Sequence, residues 1–443
     1  MKKIVASVGL LAIGASGLQA AGAPGITAEV SKPWSISATL RGFYDDNINS
    51  VSDTVPMGSY SREALGYEVS PSVQLVLPLD QGLLTAGYTY SYKYYDNAFL
   101  NSTSKDTQSH IFNLGFDHSF SERYQASIKD SFALGQEPDI LRAGNAMETY
   151  QRISGNNMRN FGSINFDGAM TRELGYQIGY ANTWMNYDNT GPTYLLSPDG
   201  SPPNAVTAAS TAGLLNRIEN TPHLDLRWII QPETIGILGY QFRDVSYNAD
   251  ERIGGNSVQG YAMSDIRNSR SHYGYIGMDH TFRPDLSGSF RVGAQYTDYY
   301  NDPTTSSQVS PYILASVRYA YMQDCSFELG LTTDRNATDV IGTAASGFTM
   351  DQQTTVVYAA LTHKITPKLF GTITGQYQYS QFNGGQYNNQ SENYYMAGAN
   401  LEYRINVNFS AHIGYSFDGL DSQLGSSRDM TRNRVYLGVT ARY

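Results

Sequence analysis

From about residue 34 to the C-terminus the chain repeats one pattern: apolar or aromatic side chains at every second position, with small, polar or charged residues between them. Leu224, Leu226, Trp228 and Ile230 form one run; Phe290, Val292, Ala294 and Tyr296 a second; Leu369, Ile373, Tyr377 and Tyr379 a third; Val407, Phe409, Ala411, Ile413, Tyr415 and Phe417 a fourth. The residues between them, such as Arg291, Gln295 and Thr297 or Asn408, Ser410, His412 and Ser416, are polar. A period of two marks a β-strand with unlike faces, because successive side chains point to opposite sides. Beyond residue 20 no stretch approaches the roughly 18 apolar residues that a membrane-crossing helix needs.

A soluble sandwich would alternate in the same way, so the connections decide. Short turns recur at 78–82, 121–123, 171–173, 231–233, 283–285, 323–325, 366–368 and around Asn406, with Pro, Gly and Asp at several of them. Between them lie long polar segments near 48–61, 96–106, 135–155, 188–219, 248–267, 300–307, 335–352, 383–390 and 419–430. Eight short and nine long connections predict eighteen strands. Strict alternation of short and long is what an outer membrane imposes on an antiparallel up-and-down transmembrane β-barrel, with short periplasmic turns, long outer loops and both termini in the periplasm. The stretches before the short turns also repeat as sequence, from Phe112–His118 to Tyr275–His280. Tyr88, Tyr90, Tyr92, Tyr94 and Tyr95, and Tyr296, Tyr299 and Tyr300, cluster before long loops and predict an outer aromatic girdle. Within the longest loop, Ala205 to Ile218 is compatible with a helix folded into the barrel mouth.

The N-terminus breaks the pattern. Lys2 and Lys3 precede an apolar run from Ile4 to Leu18 and small residues at Ala20 to Ala23, as in a secretory signal cleaved at about 20–23. The expected organisation is a signal over 1–22, a short periplasmic segment over 23–33 and the barrel over 34–443, with no plug domain ahead of the first strand. Composition agrees with repetitive β-structure, with 35 Tyr, 42 Gly and few charges. Loss of Lys2 and Lys3 takes the formal charge from −10 to −12, which argues against nucleic acid as a partner. Cys325 is the one cysteine, so no internal disulfide supports the exported chain.

Two segments resemble known patterns. Tyr436-Leu437-Gly438-Val439-Thr440-Ala441-Arg442-Tyr443 resembles the C-terminal assembly signal of outer-membrane barrels, with Gly438, Ala441 and the terminal aromatic Tyr443 at its marked positions and Ala441 smaller than usual. The resemblance implies engagement of the barrel-assembly machinery. Trp34 to Asn47, ending in Tyr44-Asp45-Asp46-Asn47, resembles the opening strand of the family called putative β-barrel porin 2. That resemblance implies a porin-like outer-membrane barrel with no catalytic residues, some relatives being linked to exopolysaccharide export.

No motif for an enzyme stands in the chain: His110, His118, His223, His272, His280, His363 and His412 lie in no serine-hydrolase or metal-ligand spacing, and neither a cofactor nor a metal is expected. His118, His280 and His363 fall just before short turns, where an interfacial role is expected. With the apolar face set toward lipid, strand parity assigns the interior. Its basic candidates for lining a pore are Arg41, Lys93, Lys129, Arg227, Arg243, Arg291, Arg318, Arg404 and Arg442; its acidic ones are Glu68, Asp117, Asp167, Asp225, Asp279, Glu328, Glu402 and Asp418. The near balance predicts ion-pair ladders between adjacent strands. Eighteen strands leave room for water, so the expected function is passive diffusion of small hydrophilic solutes. Polysaccharide export, along hydroxyl and aromatic residues such as Thr85, Thr89, Tyr273, Tyr275, Gln376 and Gln378, and a closed structural or adhesive barrel stand as alternatives. Outer-membrane lipid and lipopolysaccharide are the expected surroundings, and nothing marks an oligomer interface. Asp45 and Asp46 point to opposite faces if the strand continues through them, so they are expected to anchor the rim rather than chelate calcium. Millimolar calcium should leave the thermal stability of the folded protein unchanged, whereas a shift would reveal a cation site.

Overall fold

A computed structural model of the chain describes residues 32–99, 103–135, 156–194, 206–248, 250–256, 260–302, 307–341 and 347–443. The expected signal sequence and most of the segment after it lie outside the described residues, as does nearly all of the loop expected at 135–155. Eighteen strands among the described residues join in one sheet. They are β1 (Trp34–Asp45), β2 (Ala64–Leu79), β3 (Gly82–Tyr95), β4 (Asp106–Ser121), β5 (Tyr124–Gly135), β6 (Asn157–Ala169), β7 (Leu174–Tyr187), β8 (Arg217–Gln231) and β9 (Thr234–Tyr247). The second half supplies β10 (Ser269–Arg283), β11 (Leu286–Asp298), β12 (Gln308–Met322), β13 (Cys325–Asn336), β14 (Asp351–Lys364), β15 (Leu369–Asn383), β16 (Ser391–Arg404), β17 (Phe409–Ser422) and β18 (Met430–Arg442).

Each strand pairs antiparallel with the next, and β1 closes on β18 in a register running from Ser37 opposite Arg442 to Asp45 opposite Arg434. Beyond the ladder, Tyr443 donates its N–H to Ile36 and accepts from the Ile36 N–H, at 2.8 and 3.1 Å. Closure leaves no strand edge unpaired in hydrocarbon, where water cannot satisfy it. Gly438 faces inward here, where a Cβ would stand 2.8 Å from the Leu40 carbonyl oxygen and 2.5 Å from the His412 ring. Glycine is therefore required by the close approach of β18 to its neighbours, while Ala441 and Tyr443 lie on the opposite, outward parity.

The alternation sorts the residues as expected. Leu40, Leu238, Ile276, Ile373 and Leu437 stand exposed on the outer surface, which suits a lipid solvent. Tyr88, Tyr90, Tyr92 and Tyr94 share the outer face of β3 near its loop end, and Tyr296 and Tyr300 are exposed at a second place. Tyr95 and Tyr299 depart from the girdle: Tyr95 has inward parity and packs edge-on against Phe43 and Phe99, and Tyr299 is buried with its hydroxyl on Asp351 at 2.6 Å. A single step along a strand reverses the face, which proximity in sequence conceals. Val407 is the other exception, standing exposed in the turn before β17.

The short turns lie at the end that holds both Trp34 and Tyr443, whose rings are 6.0 Å apart. His280 and His363, on the outer face beside these turns, bond through Nδ1 to Thr234 and Tyr321 at 2.8 and 2.9 Å, and His118 stacks on Phe116. Asp45 and Asp46 take opposite directions: Asp45 is buried in a bidentate pair with Arg432, and Asp46 accepts from the backbone and side chain of Asn433. Because the outer surface is tuned to hydrocarbon, Ile276→Arg should destabilise the lipid-inserted barrel by about 2–4 kcal/mol. Ser127→Arg, on the inner face beside Asp117, should cost far less. Denaturant titration of protein folded into liposomes compares the two.

Candidate functional site

The interior is built from the polar face of the strands, and it joins most of the charged residues that parity places there. Arg41 on β1 donates to Glu68 on β2 at 3.2 Å, and Glu68 also accepts from Ser91 on β3 at 2.8 Å. Arg291 holds Asp279 on the adjacent strand at 2.7 Å. Arg434 on β18 reaches Asp418 on β17 at 2.6 Å. All three are ladder contacts between neighbouring strands, although Arg434 is not among the residues that the sequence assigns to the interior. Others skip strands: Arg227 on β8 spans Asp167 on β6 and Asp279 on β10, at 3.0 and 3.4 Å, and Tyr275 on β10 donates to Asp225 on β8 at 2.6 Å.

The longest reach is from Arg243 on β9 to Asp334 on β13, at 3.1 Å. Four strand intervals correspond to about 19 Å of regular wall, more than the two side chains can bridge. The register supplies the reason. Pairing between β12 and β13 stops at Ile313 opposite Thr333, whereas β12 continues with β11 to Gln308 and β13 continues with β14 to Asn336. Freed from β12, the end of β13 leans over the interior. There Asp334 accepts from Arg243 and from the Tyr273 hydroxyl, and the Arg335 guanidinium spans Ser310 at 2.5 Å and Asp351 at 2.7 Å. Tyr273, Tyr275 and Tyr312 pack with Ile237 beneath this overhang and fill that side.

The remaining candidates are more open. Asp117 on β4, Arg318 on β12 and Arg442 on β18 are exposed in the half nearer the short turns, and Lys129 is exposed midway along β5. Glu328 accepts from Tyr358 rather than from Arg318, its cross-strand neighbour in the register. Arg404 lies 3.6 Å from Glu402 on its own strand and 3.7 Å from the Phe370 ring centroid. Lys93 stands opposite Glu68 in the register. The structure thus packs the interior toward the long loops on the β8 to β14 side and leaves charged groups of both signs accessible below.

At the loop end, Arg267 joins three connections. It is 1% exposed, and its guanidinium donates to the carbonyls of Leu214, Thr338 and Met350 at 3.1, 2.6 and 3.2 Å. Leu214 belongs to a short helix, α1 (Thr211–Leu215), capped by Ser210, whose hydroxyl accepts from the Gly213 N–H at 2.9 Å. The helix expected over Ala205 to Ile218 is confined to these five residues, because Arg217 and Ile218 already belong to β8. Leu214 and Leu215 pack with Tyr187 and with Ile341 from the loop between β13 and β14, so two loops rooted six strands apart meet over the mouth. Glu251 binds the same assembly through Ser210 and the Gly191 N–H at 2.9 and 3.1 Å.

On the other side Arg428 joins Glu392 and Asp339 at 2.5 and 3.3 Å, and Ser52 donates to the Ser426 carbonyl at 2.6 Å. Burial disfavours the Arg428 charge, but Asp339 and Glu392 outweigh it and hold the guanidinium protonated beyond its usual range. Burial, with Asp351 beside it, likewise pushes the Tyr299 phenol well above its ordinary value, so it remains a donor. None of Arg267, Asp334, Arg335 and Arg428 stands among the residues that sequence assigns to the interior. Three lie in or at the edge of loops, where no period marks them, and Asp334 becomes a partner only because β13 leaves the wall.

Residues 245–443 match the model of the family described as Putative beta-barrel porin 2, the family that the opening strand, outside those residues, resembles. No curated protein matches the chain. Similar solved structures include OccAB4 from Acinetobacter baumannii, at 12% identity and a TM-score of 0.42, covering 93% of this chain and 99% of that one. The outer membrane protein opdK from Pseudomonas aeruginosa is 12% identical over the same shares, with a TM-score of 0.41. A BenF-like porin from Pseudomonas fluorescens Pf-5 is 10% identical over the same shares, with a TM-score of 0.44. With a closed wall, an apolar outer surface and a polar interior, the protein is a multi-pass β-barrel of the outer membrane. Arg267→Ala would leave three buried carbonyls without their donor, a loss on the order of 3 kcal/mol to the loop assembly. Limited proteolysis should then cut within 188–216 and 337–350 much faster, while the barrel keeps its heat-modifiable migration in gels.

Proposed function

We propose that the barrel is a passive channel for small hydrophilic solutes, entered between the loops and lined below them by charges of both signs. The observation that carries this reading is the accessible inner face from the short turns to mid-depth, where Asp117 and Lys129 stand in a wall whose strand number leaves room for water. The residues assigned to the pore divide by role. Arg41, Glu68, Asp167, Asp225, Arg227, Arg243, Asp279 and Arg291 are taken up in internal pairs and shape the wall. Asp117, Lys129 and Arg318 are the groups a passing solute meets, and their mixed sign gives weak rather than strong ion selectivity.

Constriction falls to the loop assembly around Arg267 rather than to one inward loop. The same assembly favours a second reading, a barrel closed at rest that serves a structural or adhesive role. Polysaccharide export has less support, because the inner tyrosines that a sugar chain would slide along are buried under the end of β13. The C-terminal strand, ending on Tyr443, is the segment offered to the assembly machinery.

Planar-bilayer recording of the purified protein tests these readings. The intact barrel should conduct, removal of residues 192–216 should raise the single-channel current severalfold, and Lys129→Glu should shift the reversal potential toward cation preference. A folded barrel that carries no current, with or without those residues, would leave only the closed reading.

A further inference from the structure

The lipid-facing surface carries one charge deep in the membrane. Among the described residues, other outward charges such as Asp244, Arg270 and Asp298 lie near the loop ends of their strands, whereas Asp130 stands midway along β5. Its parity is set by its neighbours: it lies opposite Leu114 on β4, which is exposed to lipid, and opposite Gly162 on β6. Asn160 donates to one Asp130 oxygen at 3.0 Å. Gly162 faces Asn182 on β7, and Asn182 donates to Asn220 on β8 at 3.0 Å. A polar row of Asp130, Asn160, Asn182 and Asn220 therefore crosses four strands, rising from mid-depth at Asp130 toward the loop ends, where Asn220 stands opposite Asp244. At its centre is Gly162, where a Cβ would stand 3.1 Å from the carboxylate.

Hydrocarbon offers such groups no hydrogen bonds, and a carboxylate facing lipid at mid-depth is disfavoured. We infer that this patch is the contact surface for a second copy of the chain. The groups are complementary to themselves: Asp130 accepts only, and the Asn160 carboxamide has a second N–H beyond the one given to Asp130. Two copies related by a two-fold axis along the membrane normal bring each carboxylate to the other copy's carboxamides, as a self-matching interface requires. The bare backbone at Gly162 lets the walls approach closely, as small residues do between membrane segments. A lipid headgroup fits less well, because Asp130 and Gly162 lie below headgroup depth and the carboxylate repels phosphate.

Cross-linking in native outer membranes tests this. Cys325 is buried, and Cys325→Ser gives a thiol-free background in which Ile164→Cys, beside the patch, is compared with Ile373→Cys, exposed on β15 across the barrel. Under mild oxidation Ile164→Cys should give a covalent dimer and Ile373→Cys little or none. Adding Asp130→Leu and Asn160→Leu should lower the dimer at least severalfold while heat-modifiable migration shows that the barrel still folds. Wild-type protein should show twice the monomer mass by light scattering in mild detergent, and the double leucine variant the monomer mass. Equal cross-linking at both positions, no dimer, a dimer that survives the leucine substitutions, or an adduct to another polypeptide would each overturn the proposal.

Discussion

A peptide group placed in hydrocarbon has no solvent to bond with, and this fixes the molecule. Every strand within the membrane must find a partner on each side, which is possible only if the last strand returns to the first. The pairing of β1 with β18, extended by the reciprocal bonds between Ile36 and Tyr443, is where that demand is met. The alternation of side chains follows from closure, since a closed wall has one side for lipid and one for water. The glycine at 438 follows as well, because the closing strands approach too closely there for any larger residue.

Inside, the same low-dielectric wall makes unpaired charge costly, and the interior is arranged as short circuits of arginine, carboxylate and tyrosine rather than as rows of like charge. Where adjacent strands suffice, the pairs lie along the ladder, as with Arg41 and Glu68. Where β13 departs from β12, the pairs cross the interior, and Arg243 with Asp334 holds the departed strand end in place. The overhang and the loop assembly thus depend on one another: Thr338, which accepts from Arg267, follows directly on the segment that Asp334 and Arg335 hold inward.

The strands and turns are legible in the sequence because each obeys a local rule. Period-two alternation gives the strands, and residues such as Pro284-Asp285 and Pro367-Lys368 give the turns that separate them. The faces of single residues are less legible where two tyrosines adjoin, as at Tyr94 and Tyr95, since both satisfy the same composition and only register tells them apart. The five-residue helix is shorter than its sequence suggests because β8 claims Arg217 and Ile218 for the ladder. Arg267 is illegible altogether: its partners are three backbone carbonyls in distant loops, and a carbonyl leaves no mark on a sequence. The balance of interior charges can be read from parity, but not which of them meet, because that depends on where one strand leaves its neighbour.

The Arg267 junction also determines what the cell presents to its surroundings. Loop tips in most barrels vary independently, each a separate stretch of chain. Here the described part of the outer surface is a mosaic whose pieces come from distant parts of the polypeptide and meet at Arg267, with Glu251 and Arg428 joining further pieces. An antibody or phage that reads this surface recognises the closed barrel as a whole, and a peptide copied from any one loop would not reproduce it.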